Sequence, residues 1–334
     1  MLQGHQTWIF DSKPIIIASA AVGGPFEAQG ALAEDFDLLH GDIWLGQDSF
    51  EKAEKKLQEQ ACETALKKAG MKKEDIQFLL GGDLINQIVP SNFAARTLAT
   101  PYLGLYGACS TSMEGLALGS VLVDSGFAKN ALVCVSSHNA AAEKQYRYPT
   151  EYGSQKPPTA QWTVTGSGAA LISAQGNGPR VTGATIGRVI DMGLSDPFNL
   201  GAAMAPAAVD TIEAHFRDLN RDPTYYDIIA TGDLGRIGHR IAGDLLKKHG
   251  MGIPDEIFTD CGIMIYRKDQ PIVLAGGSGC ACAAVTTFGH FLNQMCKGEL
   301  HKILIIATGA LLSPMSYQQK ESIPSIAHAV SIEL

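Results

Sequence analysis

A single thiol stands where a strand is expected to turn into a helix. The stretch Gly107-Ala108-Cys109-Ser110-Thr111-Ser112-Met113-Glu114-Gly115 follows the apolar run Leu103-Gly104-Leu105-Tyr106. Thr111 and Glu114 have the spacing of a capping box, and Met113, Leu116, Ala117, Ser120 and Val121 recur at helical period. The strand is therefore predicted to end near Tyr106, and the helix to begin within a residue or two of Cys109. Unpaired amides and the positive end of the helix dipole favour a thiolate at that place, the form of cysteine that attacks carbonyl carbon. The other reading of the same residue is a buried cysteine that packs as a small hydrophobe.

Other chemistries find less support. The chain has 7 cysteines, at 62, 109, 134, 261, 280, 282 and 296, and no secretion-type N-terminus, which predicts reduced thiols in a cytosolic compartment. Cys280-Ala281-Cys282 has no second pair and no suitably spaced histidines, so packing is favoured and no metal site is expected. His138, His215, His239, His249, His290, His301 and His328 form no H-x3-H array. A net charge of -8, with no basic cluster interleaved with aromatics, argues against nucleic acid as a partner. The 334 residues are 46% hydrophobic and 18% charged, the composition of a globular chain large enough for two core-bearing units. The start MLQGHQTWIFDSK lacks the basic and apolar regions of a signal peptide, and no uncharged apolar window is long enough for a membrane span. Membrane association is thus expected only through partners.

Two similar series position these residues. The first holds Phe78-Leu-Leu-Gly-Gly-Asp83-Leu84, the Cys109 turn and helix, and Ser125 to Ser136. The second holds Ile228-Ile-Ala-Thr-Gly-Asp233-Leu234, Gly276-Gly-Ser-Gly-Cys280-Ala-Cys282 opening a helix, and Lys297 to Ala307. Each reads strand, helix, strand, with short, continuous apolar runs typical of parallel strands buried on both faces. Helices are predicted from Phe50 to Ala69, Ala205 to Leu219 and His239 to His249. A new strand is expected at Arg180 to Ile186, after Ala169 to Ser173, which divides the chain into halves 1–177 and 178–334. Residues 141–158 are polar, aromatic and proline-bearing, and read as a long excursion over a pocket, towards a second subunit, or simply into solvent.

A duplicated α/β half with a cysteine opening the central helix of the first half resembles the thiolase-like fold, two pseudo-duplicated halves layered α/β/α/β/α. The blocks GACSTSMEG (107–115), SSHNA (136–140), YRYPTEYG (146–153), VTGSGA (164–169), AMAPAA (203–208), GGSGCAC (276–282), ATGALLSP (307–314) and QQKESIP (318–324) resemble the stage V sporulation protein AD family of spore-forming bacteria along essentially the whole chain. That resemblance implies non-catalytic binding of pyridine-2,6-dicarboxylate (dipicolinic acid) and help in its uptake into the developing spore. It implies as partners the other proteins of the stage V sporulation membrane channel complex. It also implies a homodimer and a place at the cytoplasmic face or periphery of the forespore or spore inner membrane. Calcium can accompany the ligand; no other cofactor is implied.

Two alternatives stay open: a thiolase- or ketoacyl-synthase-like acyltransferase using Cys109 as nucleophile, and a scaffold for the membrane channel complex. For catalysis, the positions that hold histidine or asparagine in the related enzymes look like Thr231-Gly232-Asp233 and Asp260-Cys261-Gly262 here, and a carboxylate beside a thiolate is repulsive. For binding, two helix N-termini are natural anion sites, one at Cys109 and one at Gly279 to Cys282. Ser110, Ser137, Asn139 and Ser278 add neutral donors to this expected ligand site, and His138 adds a charged one if protonated. Cys280 belongs to the second helix terminus. Lys144, Arg147 and Lys156 lie on the long excursion, within reach of an anion or in solvent. Asp83 and Asp233 occupy equivalent places and either cap local turns or serve as oxygen donors to calcium.

Overall fold

The computed structural model describes residues 1–146 and 156–334. The duplication appears as two five-stranded arrays of the same order. In the first half the strands are β1 (Ile15–Gly23), β2 (Phe78–Gly82), β3 (Tyr102–Gly104), β4 (Asn130–Ser137) and β5 (Gly166–Ser173). In the second they are β6 (Arg180–Ile186), β7 (Ile228–Thr231), β8 (Phe258–Asp260), β9 (Lys302–Ala310) and β10 (Ser325–Glu333). The order β1-β5-β4-β2-β3 is repeated as β6-β10-β9-β7-β8. The halves meet directly at β1 and β6, where Arg180 pairs with Ile15.

Each array is mixed, which corrects the all-parallel expectation. β2 is parallel to β3 and β4, but β5 runs antiparallel to both β4 and β1, and β10 repeats this against β9 and β6. Such strands stay apolar along their whole length because helices cover both faces. Helix α1 (Phe50–Ala69) covers the outside of the first array, while α3 (Leu200–Leu219) and α4 (Gly235–Lys248) cover the outside of the second. Between the arrays lie α2 (Thr111–Asp124) and α5 (Cys280–Val285), completing the α/β/α/β/α layering.

Local chemistry sets the helix ends. Ser49 caps α1 by accepting from Lys52 N, and Gly70 ends it in the left-handed conformation. Helix α3 starts five residues before the predicted Ala205, with Pro206 inside its second turn, and α4 starts at Gly235 rather than His239. Pro206 is the seventh residue of α3, beyond the first amides that lack an intrahelical acceptor, so α3 gives up one backbone bond there. In α2 the expected capping box does not close. The Thr111 hydroxyl instead accepts from Gly107 N and donates to Ala108 O, leaving Glu114 Oε2 buried without a partner among the described residues.

Candidate functional site

The strand-to-helix turn delivers Cys109 to the interface of the two halves. Ala108, immediately before it, holds φ at 50°, a left-handed conformation that costs an alanine roughly 1–2 kcal/mol. The strain is held by close packing from the other half. Gly309 on β9 lets the turn approach, since a Cβ there would lie 2.2 Å from Gly107 O. Cys280 at the head of α5 donates its S–H to Ala108 O at 3.0 Å.

Cys109 opens onto a cavity of about 60 Å³. Its rim carries Tyr106 and Tyr146; Thr163 and Ser278 line one side, and Leu84, Leu200 and Leu312 supply apolar wall. Tyr146 donates its hydroxyl to Leu84 O, and the Tyr106 hydroxyl lies 3.3 Å from that of Tyr146. Tyr106, 47% exposed, keeps a hydroxyl able to turn towards an occupant. Burial raises the pKa of both phenols, so both remain donors. None of the lining side chains among the described residues is cationic.

Behind Cys109 lies Asp233, whose carboxylate is a hydrogen-bond sink. It accepts from Thr308 Oγ1 at 2.7 Å, Ser278 Oγ at 3.0 Å and Gly279 N at 3.0 Å, and its charge reaches the Cys109 thiol. Burial raises the Asp233 pKa, and these donors hold the rise back. For Cys109 the balance is one-sided: burial, then the Asp233 charge, push the thiol well above the ordinary cysteine range. The thiolate expected from the helix dipole is therefore not the resting form, because desolvation and a facing carboxylate outweigh a partial dipole charge.

The remaining predicted residues disperse. Ser110 donates to Gly107 O at 2.6 Å, inside its own turn. Ser137 donates to Val164 O at 2.7 Å and accepts from Ala281 N at 3.2 Å, tying β4 to α5. His138, 1% exposed, donates from Nε2 to Ile43 O at 2.8 Å. This fixes Nδ1 as an acceptor, and burial lowers the pKa, so the ring is a neutral structural group rather than a charged donor. Asn139 lies outside the Cys109 cavity and borders a different one. Asp83 accepts from Ile85 N, Ser91 N and Ser91 Oγ, closing a turn without facing the cavity. Lys144 pairs with Glu51 and Lys156 with Glu143, while Arg147 lies outside the described residues.

The anion site expected at Gly279 to Cys282 is already filled by the protein: Asp233 takes the Gly279 amide and Ser137 that of Ala281. Asp260, the second partner position expected from sequence, accepts from Thr231 Oγ1 and from the amides of Leu234, Gly235 and Ile263. It organises the β7 and β8 ends; Ser278, which lines the cavity together with Pro197, Leu200, Ala310 and Leu312 of the second half, donates to Asp233. Sequence reasoning missed Tyr106, Tyr146, Thr163, Leu200 and Leu312 as site residues, which come from separate segments with no common spacing. Among the described residues, no cluster of three or more His, Cys, Asp or Glu side chains is placed to hold a metal.

None of the described side chains lining the cavity is an imidazole that could take the thiol proton. The site is a small, mostly apolar slot lined by neutral donors and the Cys109 thiol, with the Asp233 carboxylate behind the thiol.

Comparisons with known proteins agree with the fold and identify the relatives. The family model described as Stage V sporulation protein AD matches residues 4–333. Stage V sporulation protein AD of Bacillus subtilis (strain 168) is 51% identical over 332 residues, covering 99% of this chain and 98% of that protein. The crystal structure of 3-oxoacyl-[acyl-carrier-protein] synthase III from Aquifex aeolicus VF5 superposes with a TM-score of 0.59 at 13% identity, over 96% of this chain and 100% of that one. A variant of Xanthomonas campestris OleA gives 0.58 at 14% identity, over 100% of both chains.

Proposed function

Because the chain belongs to the stage V sporulation protein AD family, we propose that it is a non-catalytic binding protein for pyridine-2,6-dicarboxylate, which it holds in the Cys109 cavity and helps to pass into the developing spore. The observation that carries the reading is the nearness of Cys109 to Asp233, whose charge together with burial keeps this cavity-lining thiol protonated and so available as a donor. The flat pyridine ring suits the apolar walls, and Tyr106, Thr163 and Cys109 offer neutral donors to its carboxyl groups. With Asp233 behind and no cation among the described lining residues, the cavity favours the acid with its charge already compensated, by protons or by chelated calcium.

On this reading the protein works at the periphery of a spore membrane beside other stage V proteins. No helix among the described residues is long and apolar enough to cross a membrane. The edge strand β3, with Leu103 42% exposed, suits pairing with a second copy.

Equilibrium dialysis against dipicolinate, with and without calcium, tests the proposal. One site per chain is expected. Ala310→Phe, which projects a ring into the cavity, should weaken binding at least about 10-fold, the scale of overpacking a small apolar site. No saturable binding in either condition, or equal binding by the variant, contradicts it.

A further inference from the structure

The Cys109 cavity is too tight for an aromatic acid in the conformation described. Its volume is about 60 Å³, against the roughly 150 Å³ of a protein cavity that admits benzene. Pyridine-2,6-dicarboxylate is larger than benzene, so an occupant of that class has to displace part of the wall.

One edge of that wall is a strained turn. Leu84 lines the cavity and opens the segment 84–88, in which Gln87 and Ile88 both hold positive φ, 55° and 48°. The left-handed region is unfavourable for residues with a Cβ, and most of all for a β-branched one such as Ile88. Two such residues in succession persist only where neighbours hold them.

The holding contacts come mainly from the helix Asn139–Tyr146. Gln145 spans the turn: its Oε1 accepts from Asn86 N at 2.7 Å, and its Nε2 donates to Leu84 O at 3.0 Å. Tyr146 donates to the same carbonyl and reaches across the rim to the Tyr106 hydroxyl. Asn92 adds one donor, to Gln87 O at 2.7 Å. The start of the helix is fixed to the core, where Asn139 N donates to Thr165 Oγ1 at 3.0 Å. Its end also carries two ion pairs near the surface, Lys144 with Glu51 and Lys156 with Glu143, of a kind that contributes little.

We propose that Gln145 is a latch on the Cys109 cavity: with Tyr146 it clamps the strained 84–88 turn across the mouth, and its release lets Leu84 and the two tyrosines part to admit the ligand. Gln145 does not line the cavity, so it is a positioning residue rather than a contact of the occupant. Strain in the turn opposes the bonds of the clamp, which keeps the closed and open states close in energy. The latch rests on the reading of that cavity as the ligand site, yet its opening is measurable without any ligand.

Labelling of the full chain with methyl methanethiosulfonate, read by peptide mapping, reports that opening at Cys109. Gln145→Leu removes both bonds to the turn and should speed Cys109 labelling at least about 5-fold, the scale of losing two hydrogen bonds. Tyr146→Phe removes one and should speed it by roughly 3-fold or more. Cys296, which lies outside this cavity, should label at the wild-type rate in both. Because the ligand enters the open state, dipicolinate affinity should rise in Gln145→Leu by the same factor as the labelling. A residue that merely supported the wall would lower it. Wild-type Cys109 labelling in Gln145→Leu overturns the latch, and so does an equal acceleration at Cys296 or a loss of dipicolinate affinity. Faster Cys109 labelling alone, with dipicolinate bound by neither wild type nor variant, upholds the latch and removes dipicolinate as the ligand.

Discussion

Iodoacetamide at about pH 7.5 is expected to alkylate Cys296 and to leave Cys109 essentially unmodified over the same period. Cys296 is exposed, while Cys109 is 7% exposed and lies under the charge of Asp233. Because burial and the Asp233 charge push its pKa well above the ordinary range, Cys109 stays protonated at neutral pH. Peptide mapping by mass spectrometry reads the difference, which should be at least about 100-fold when exposure and ionisation are combined. Asp233→Asn removes the facing charge and should speed Cys109 labelling by roughly 10-fold, though not to the rate of Cys296, because burial remains the larger cause. A Cys109 that labels first, or that takes up an acyl group from acyl-CoA, would restore the nucleophile reading.

Stability should fall as pH rises from about 4.5 to 7, and Glu27 should account for much of the fall. Burial lifts its pKa from 4.5 to about 7. A carboxyl whose folded pKa is raised binds its proton more tightly in the folded state, so folding carries no penalty from it below the unfolded value. The penalty grows through the window between the two values and is complete above the folded one. For a fully buried group shifted this far it reaches about 3 kcal/mol. Asp83 and Asp260, each raised to about 6, act in the same direction. Glu27→Gln should therefore raise stability at pH 8 by up to about 3 kcal/mol and change it little at pH 4. Urea denaturation at the two pH values measures this, and an equal effect at both would contradict the assignment.

The duplicated architecture was legible because β2 and β7 are apolar runs with the same Gly-Asp-Leu sequel, each followed later in its half by a further apolar run, β4 and β9. β1 and β10 left less trace. Their sequences IIIASAAVG and SIAHAVSIE carry small residues, since they lie mid-sheet with helices close on both faces, and neither alternates cleanly. At the site, Cys109, Asp233 and Ser278 were recognisable from their places beside turns in the two series. Ser110, Ser137 and His138 looked equally suitable, but their partners are backbone carbonyls of Gly107, Val164 and Ile43, which no residue pattern announces. Tyr106 and Tyr146 meet only through the fold, 40 residues apart in the chain. In sequence Asp260 looks like any other carboxylate near a strand end. Only the geometry shows that it faces the amides of Leu234, Gly235 and Ile263.

The central claim is that the Cys109 cavity binds dipicolinate and performs no acyl chemistry, and a crystal structure of the protein grown with dipicolinate and calcium tests it most directly. One ligand is expected between Tyr106, Tyr146 and Cys109, with the Cys109 sulfur unmodified. A ligand bound only elsewhere, or an acyl group on that sulfur, would contradict the account.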